Sequence, residues 1–86
     1  MARTSPNFTE LDPEAVRLGA TVKAMREMRG MTQDQLSRAA DMSRSYVANT
    51  ERGRYLPSRR AIARLATALA VPQISLVRPE ADEVAA

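Results

Sequence analysis

Thr32-Gln33-Asp34-Gln35-Leu36-Ser37-Arg38-Ala39-Ala40-Asp41-Met42-Ser43-Arg44-Ser45-Tyr46-Val47-Ala48-Asn49-Thr50-Glu51-Arg52-Gly53 holds two helix starts and two helix stops in 22 residues. The Thr32 hydroxyl can accept from the amide three residues on, while Gln35 reaches back to the Thr32 amide, the reciprocal arrangement of a capping box. About two turns follow, through Leu36, Ser37, Ala39 and Ala40, before Asp41-Met42 interrupts them and Ser43 offers a second N-cap. The next helix runs from Arg44 to Arg52 and stops at Gly53. Small Ser37 and Ala40 permit close approach of the pair, and Leu36 and Val47 are its expected inward anchors.

Outward from this pair, the punctuation predicts three more helices. Asp12-Pro13-Glu14 combines an N-cap acceptor, a proline at the first helical position and an acid near the positive end of the dipole. Leu18, Val22 and Met25 give that helix an apolar stripe, Arg26 and Arg29 sit in its last turn, and Gly30 ends it. Gly19 weighs mildly against it on propensity. After an Arg-Tyr-Leu loop, Pro57-Ser58 starts a fourth helix with Ile62, Leu65, Ala66 and Leu69 at helical spacing, ended by Val71-Pro72. A short fifth helix is expected from Gln73 to Val77. The reading divides the chain into an N-terminal arm (1–11), one all-α domain (12–77) and a mobile C-terminal tail (78–86).

Composition narrows the function. The 86 residues, 44% of them hydrophobic, suffice for one compact core. With one Phe, two Tyr and no Trp, that core must be built from aliphatic side chains, which favours helices over a sheet. Cysteine and histidine are both absent, which removes disulfides, the usual metal sites and most acid–base or nucleophilic designs. No cofactor or metal is expected. The scattered Asp34, Asp41 and Glu51 offer no paired-carboxylate cleft, so the chain reads as no enzyme. No apolar run approaches the ~20 residues of a membrane span, and the first ten residues lack the apolar stretch of a secretory signal, so a cytoplasmic location is expected. Residues 13–78 carry 12 basic side chains against 5 acidic ones, whereas the remainder carries 1 against 5. A basic body between acidic ends suits a polyanionic partner, although a solvated charged face gives the same count.

Two short helices joined by a turn of three or four residues form the geometry in which one lies across a DNA backbone and the next enters the major groove. Generic helical proteins contain such pairs too. The sequence goes further: Gly30-Met31-Thr32-Gln33-Asp34-Gln35-Leu36, Ser43-Arg44-Ser45-Tyr46-Val47, Glu51-Arg52-Gly53, Leu56-Pro57-Ser58 and Leu65-Ala66-x-Ala68-Leu69-Ala70-Val71 follow one another in order. In these blocks and their spacing, Leu18 to Val77 resembles the Xre/Cro/cI family of repressor-like helix-turn-helix domains. The resemblance implies a compact five-helix, lambda-repressor-like all-α domain and a sequence-specific, double-stranded-DNA-binding regulator, a repressor of phage or bacterial type.

The resemblance also implies roles. Gln33, with Thr32, matches the family position where a helix N-terminus meets a DNA phosphate. Arg44, Ser45 and Asn49 match positions facing base edges, and their chemistry agrees, since Arg pairs with guanine, Asn with adenine and Ser with either. Arg52, Arg54, Arg59 and Arg60 lie where relatives touch the backbone. Tyr46 either touches sugar-phosphate or covers the core edge. Glu51 matches an acid that reaches back to a base on the first helix, here Arg26, which is also placed to touch phosphate. Three residues depart from the pattern: Asp41 where glycine is common, Thr50 where a larger aliphatic is usual, and Arg59 in place of an apolar residue.

One recognition helix reads few base pairs, so a homodimer on DNA is expected. Val71, Ile74, Leu76 and Val77 either form the dimer contact or close the monomer core. Glu83-Val84-Ala85-Ala86 resembles the small apolar C-termini that bacterial proteases recognise. A protein partner (toxin, second repressor or protease) fits as well, and the rival reading is an antitoxin that neutralises a toxin and binds its own promoter.

Overall fold

The computed structural model describes residues 12–77. These form five helices: α1 (Pro13–Met28), α2 (Gln33–Ala40), α3 (Arg44–Glu51), α4 (Arg59–Leu69) and α5 (Ile74–Val77). The expected arm and tail lie outside the described residues, as does the Glu83 to Ala86 stretch that resembles a protease-recognised C-terminus. Among the described residues no helix is long and apolar enough to cross a membrane.

Each of the first four helices starts on a side chain named by the sequence. Asp12 accepts from the Glu14 amide at 2.9 Å. Thr32 accepts from Gln35 at 3.0 Å while the Gln35 side chain accepts from the Thr32 amide at 2.8 Å, completing the capping box. Ser43 and Ser58 cap α3 and α4 through the amides of Tyr46 and Ala61. Pro57 is therefore buried ahead of the helix it announces, and α3 closes at Glu51 with Arg52 as its cap.

The same four helices stop in one way. Gly30, Asp41, Gly53 and Ala70 all take positive φ, between 59° and 74°. Around each, the amide of the left-handed residue bonds back three residues and the next amide five, as in Met31 to the Arg26 carbonyl and Val71 to the Ala66 carbonyl. Asp41 thus adopts the left-handed conformation that its short polar side chain tolerates. Ala70 has no such help, at φ 60° and ψ 42°, and its methyl is exposed. Ala70→Gly should relieve about 1 kcal/mol of left-handed strain, partly offset by the glycine's greater unfolded entropy. The expected net gain of roughly 0.5 kcal/mol appears as a melting temperature a few degrees higher, and a fall would show the conformation to be unstrained.

The core joins all five helices. Leu18 and Val22 of α1, Leu36 and Ala40 of α2, Val47 of α3, Ile62, Leu65, Ala66 and Leu69 of α4 and Leu76 of α5 form one buried cluster. The small residues Ser37 and Ala40 are buried as expected. α1 packs on α3, α2 bridges α3 and α4, and α5 returns to α1. Leu76 is 1% exposed and closes this core, with Val71 and Val77 packed against it, whereas Ile74 is 56% exposed. Of the four apolar residues offered for a dimer contact, Leu76 is thus absorbed by the monomer and Ile74 stands free of the core.

Gly19, counted against α1 on propensity, is buried inside it. A Cβ there would overlap the Thr50 carbonyl oxygen and lie 2.9 Å from that of Glu51. The glycine is what lets the α1 backbone touch the end of α3. Gly53 combines its φ of 74° with a second close approach, since a Cβ would lie 2.9 Å from Val16 Cα. Thr50 is fully buried with its hydroxyl unpaired among the described residues. A threonine, where a larger aliphatic residue is usual, thus sits beneath α3.

Candidate nucleic-acid interface

α3 is held by one face and offers the other. At 100° per residue, Arg44, Ser45, Asn49 and Arg52 fall on one arc, while Val47 and Thr50 fall opposite and are fully buried. Arg44, Ser45 and Arg52 are exposed and Asn49 is half-buried. The structure therefore presents the three proposed base-reading side chains together on the outer surface of α3, with Arg54 exposed just beyond its end.

The orientation of that surface is set from below by one ionic cluster. Glu51, its side chain 3% exposed, accepts from Arg26 Nε at 2.7 Å and Arg26 Nη2 at 3.0 Å. The planar guanidinium fits the carboxylate with two parallel bonds. Arg26 Nη1 donates to the Met31 carbonyl at 2.8 Å, and Gln33 Nε2 donates to Glu51 Oε1 at 3.1 Å. One carboxylate thus joins the end of α1, the start of α2 and the end of α3. Donation of its hydrogen bonds to Glu51, ahead of the attraction of that carboxylate's charge, holds the Arg26 pKa above its ordinary value, against the opposing effect of burial. The arginine stays cationic at any working pH.

Arg26, Thr32, Gln33 and Arg44 line one open cleft with Met31 and Asp34. Four of the residues expected to meet DNA therefore share one opening at the N-terminus of α2, where unpaired amides favour an anion. Two of them are already engaged: the Gln33 side chain bonds Glu51, and Arg26, 11% exposed, has three N–H groups occupied. Asp34 on the rim pairs with Arg38 at 3.2 Å, which softens its charge.

Tyr46 is half-buried, its ring tilted against that of Tyr55 with centroids 5.4 Å apart, and the Tyr55 hydroxyl donates to the Tyr46 carbonyl at 3.4 Å. Sequence reasoning missed Tyr55, for which nine residues of separation across a turn carry no periodic signal. Arg59 and Arg60 are exposed, but they border a different opening between α4 and α5, apart from the Arg44 cleft.

The helix-turn-helix domain family matches residues 17–78 of the chain. An immunity repressor protein of Bacillus phage phi105 is 41% identical over 63 residues, 73% of this chain and 44% of the relative. The ImmF control region 10 kDa protein of the same phage is 40% identical over 50 residues, 58% of this chain and 56% of the relative. The chain thus spans about half the length of these curated relatives. Among solved structures, the restriction-modification controller protein C.AhdI from Aeromonas hydrophila is 32% identical with a TM-score of 0.73, covering 76% of this chain and 98% of that one. The clp gene regulator ClgR from C. glutamicum is 28% identical with a TM-score of 0.71, covering 76% and 84%. Five helices with these caps, the outward arc of α3 and these matches agree, and the chain belongs to the helix-turn-helix domain family, in its repressor-like Xre/Cro/cI branch.

Proposed function

We propose that the chain is a sequence-specific double-stranded-DNA-binding transcription regulator, a repressor, that reads an operator major groove with α3. The observation that carries this reading is the outward arc of α3. A two-turn helix is anchored through Val47, Thr50 and Glu51 and carries the exposed Arg44 and Ser45 and the half-buried Asn49 on its outer face. Arg and Asn offer bidentate pairs to guanine and adenine, and Ser adds a shorter contact. Thr32 and Gln33 at the start of α2, together with Arg26, Tyr46, Arg52 and Arg54, supply the backbone contacts that set register. The similar phage protein is an immunity repressor, which favours repression over activation.

A recognition arc of this length covers one half-site, so the functional unit is a homodimer on inverted half-sites about 34 Å apart. Of the four apolar residues offered for such a contact, Ile74, on α5, is the exposed one.

The test is a fluorescence titration against the DNA upstream of the gene and against a scrambled duplex, at two salt concentrations, with sedimentation of the complex. The native duplex should bind ~10³-fold more tightly, with two protomers bound. Arg44→Ala and Asn49→Ala should each lose about 10- to 100-fold on the native duplex only. Arg52→Ala and Arg54→Ala should weaken both duplexes alike and each lower the salt slope by about one. Equal binding of the two duplexes would reduce the basic surface to an electrostatic patch.

A further inference from the structure

We propose that Tyr55 is a positioning residue of the DNA interface, which holds the Tyr46 ring at the edge of the reading arc so that Tyr46 meets the sugar-phosphate backbone already oriented. This rests on the DNA-binding reading above, in which Tyr46 supplies a backbone contact, and names what sets that contact.

At 100° per residue, Tyr46 falls between Asn49 on the outward arc of α3 and Thr50 on its buried side. Its amide donates to the Ser43 cap at 3.0 Å, so the backbone here is fixed and the freedom left is that of the side chain. Tyr55 limits that freedom. The two rings stand 5.4 Å apart between centroids with their planes at 58°, inside the range in which tilted aromatic rings attract. The Tyr55 hydroxyl donates to the Tyr46 carbonyl at 3.4 Å, a long bond that aligns the ring more than it binds it.

A positioning ring must itself be fixed, and Tyr55 is pinned on both sides. Gly53 and Pro57 are buried, and the exposed Arg54, Tyr55 and Leu56 form a short strap between them. The strap starts where Gly53 and Arg54 donate to the Thr50 and Asn49 carbonyls at 3.0 and 3.2 Å, and it ends at the Ser58 cap of α4. Core packing does not account for the pair. Among the described residues neither ring belongs to the buried cluster or to the apolar side chains packed against it, and Tyr55 is 37% exposed. The domain thus keeps two aromatic rings outside its core, one of them beside the side chains proposed to read DNA.

Binding immobilises every side chain it uses, and a ring already held in the free protein spares about twofold to tenfold in affinity. A phenol carries no charge, so this gain releases no counterion and does not enter the salt slope. A sugar-phosphate contact carries no base preference either, so native and scrambled duplexes share the gain. Those two properties separate Tyr55 from its neighbour Arg54 and from the base-reading residues.

The test uses the full chain and both duplexes at several salt concentrations, at a temperature where circular dichroism shows each variant folded. Tyr55→Leu should bind both duplexes about threefold to tenfold more weakly, with the salt slope of the parent. Tyr55→Phe, which keeps the ring, should retain most of the affinity. Tyr55→Leu added to Tyr46→Ala should cost nothing beyond Tyr46→Ala alone. The chain has two tyrosines and no tryptophan, so the tyrosine near-ultraviolet dichroism of the DNA-free protein reads this pair directly. That signal should collapse in Tyr55→Leu and persist, from Tyr46, in Tyr55→Phe. A further loss in the Tyr46→Ala background would make Tyr55 a DNA contact in its own right and overturn the proposal. A lowered salt slope would assign the effect to a displaced Arg54 and overturn it too. Lower melting with unchanged affinity of the folded Tyr55→Leu variant would reduce the pair to a structural contact. A parent that bound neither duplex would sink the DNA-binding reading itself, whereas a parent that binds and a Tyr55→Leu variant that binds equally well would overturn this proposal alone.

Discussion

Gly19→Ala is expected to leave the domain largely unfolded at 37 °C, although the substitution replaces the second-worst helix former by the best one. Propensity alone predicts a gain of about 1 kcal/mol in a helix interior. The contact predicts the opposite sign, because the new Cβ would overlap the Thr50 carbonyl oxygen and crowd that of Glu51. Both are backbone atoms in the last turn of α3. That turn is fixed by the left-handed Gly53 and by the Arg26–Glu51 bonds, so neither oxygen can swing aside as a side-chain tip would. Relief requires α1 and α3 to separate, which would open the seam between Val22 and Val47 and stretch the ionic cluster. Overpacking of a yielding core costs about 1–3 kcal/mol, and a backbone obstacle places this case at or above the upper end. A domain of this size has only about 3–10 kcal/mol to lose. Circular dichroism with urea unfolding reads the result. A variant as stable as the parent would show that the two helices do not need this approach.

That sign reversal marks the limit of what the sequence discloses. The helix boundaries were legible because caps are local chemistry: Thr32 with Gln35, Ser43, Ser58 and Asp12 each bond an amide two or three residues away. The core was legible from periodicity, with Leu18, Leu36, Val47, Ile62, Leu65 and Leu69 all buried. What escaped depends on how helices cross. Gly19 reads as a weak helix residue until α3 is laid over it, and the Tyr46–Tyr55 ring contact forms only once the chain has turned past Gly53. Arg26 and Glu51 are 25 residues apart, and no spacing rule pairs them. Their pairing followed from the family resemblance, which carries three-dimensional information that the residues alone do not. Likewise Gln33 was assigned to phosphate, and nothing in its neighbours shows that its side chain also reaches Glu51.

Glu51→Ala should cost about 3 kcal/mol, lowering the melting temperature by more than about 10 °C, while changing base preference little. The carboxylate accepts three hydrogen bonds from two residues, and its removal strands the groups it served. Arg26 cannot escape the penalty by losing its proton. In the parent its pKa is raised above the ordinary arginine value by the hydrogen bonds to Glu51, so its share of the pair's stability is complete at all pH values below that ordinary value and is lost only above it. Near neutrality the variant therefore keeps a cation that is 11% exposed with two of its donors unanswered. Glu51→Gln, which keeps one acceptor of similar shape, should lose roughly half as much. Replacing both partners, Arg26→Met with Glu51→Leu, should recover much of the loss, since the desolvated charges go together. In the proposed reading base preference depends on Arg44, Ser45 and Asn49, none of which bonds to Glu51. The ratio of native to scrambled duplex affinity, measured where each variant is folded, should therefore stay within about threefold of the parent. Unchanged melting with a collapsed ratio would instead place Glu51 and Arg26 at the DNA surface, and the cluster would be part of the reading head rather than its mount.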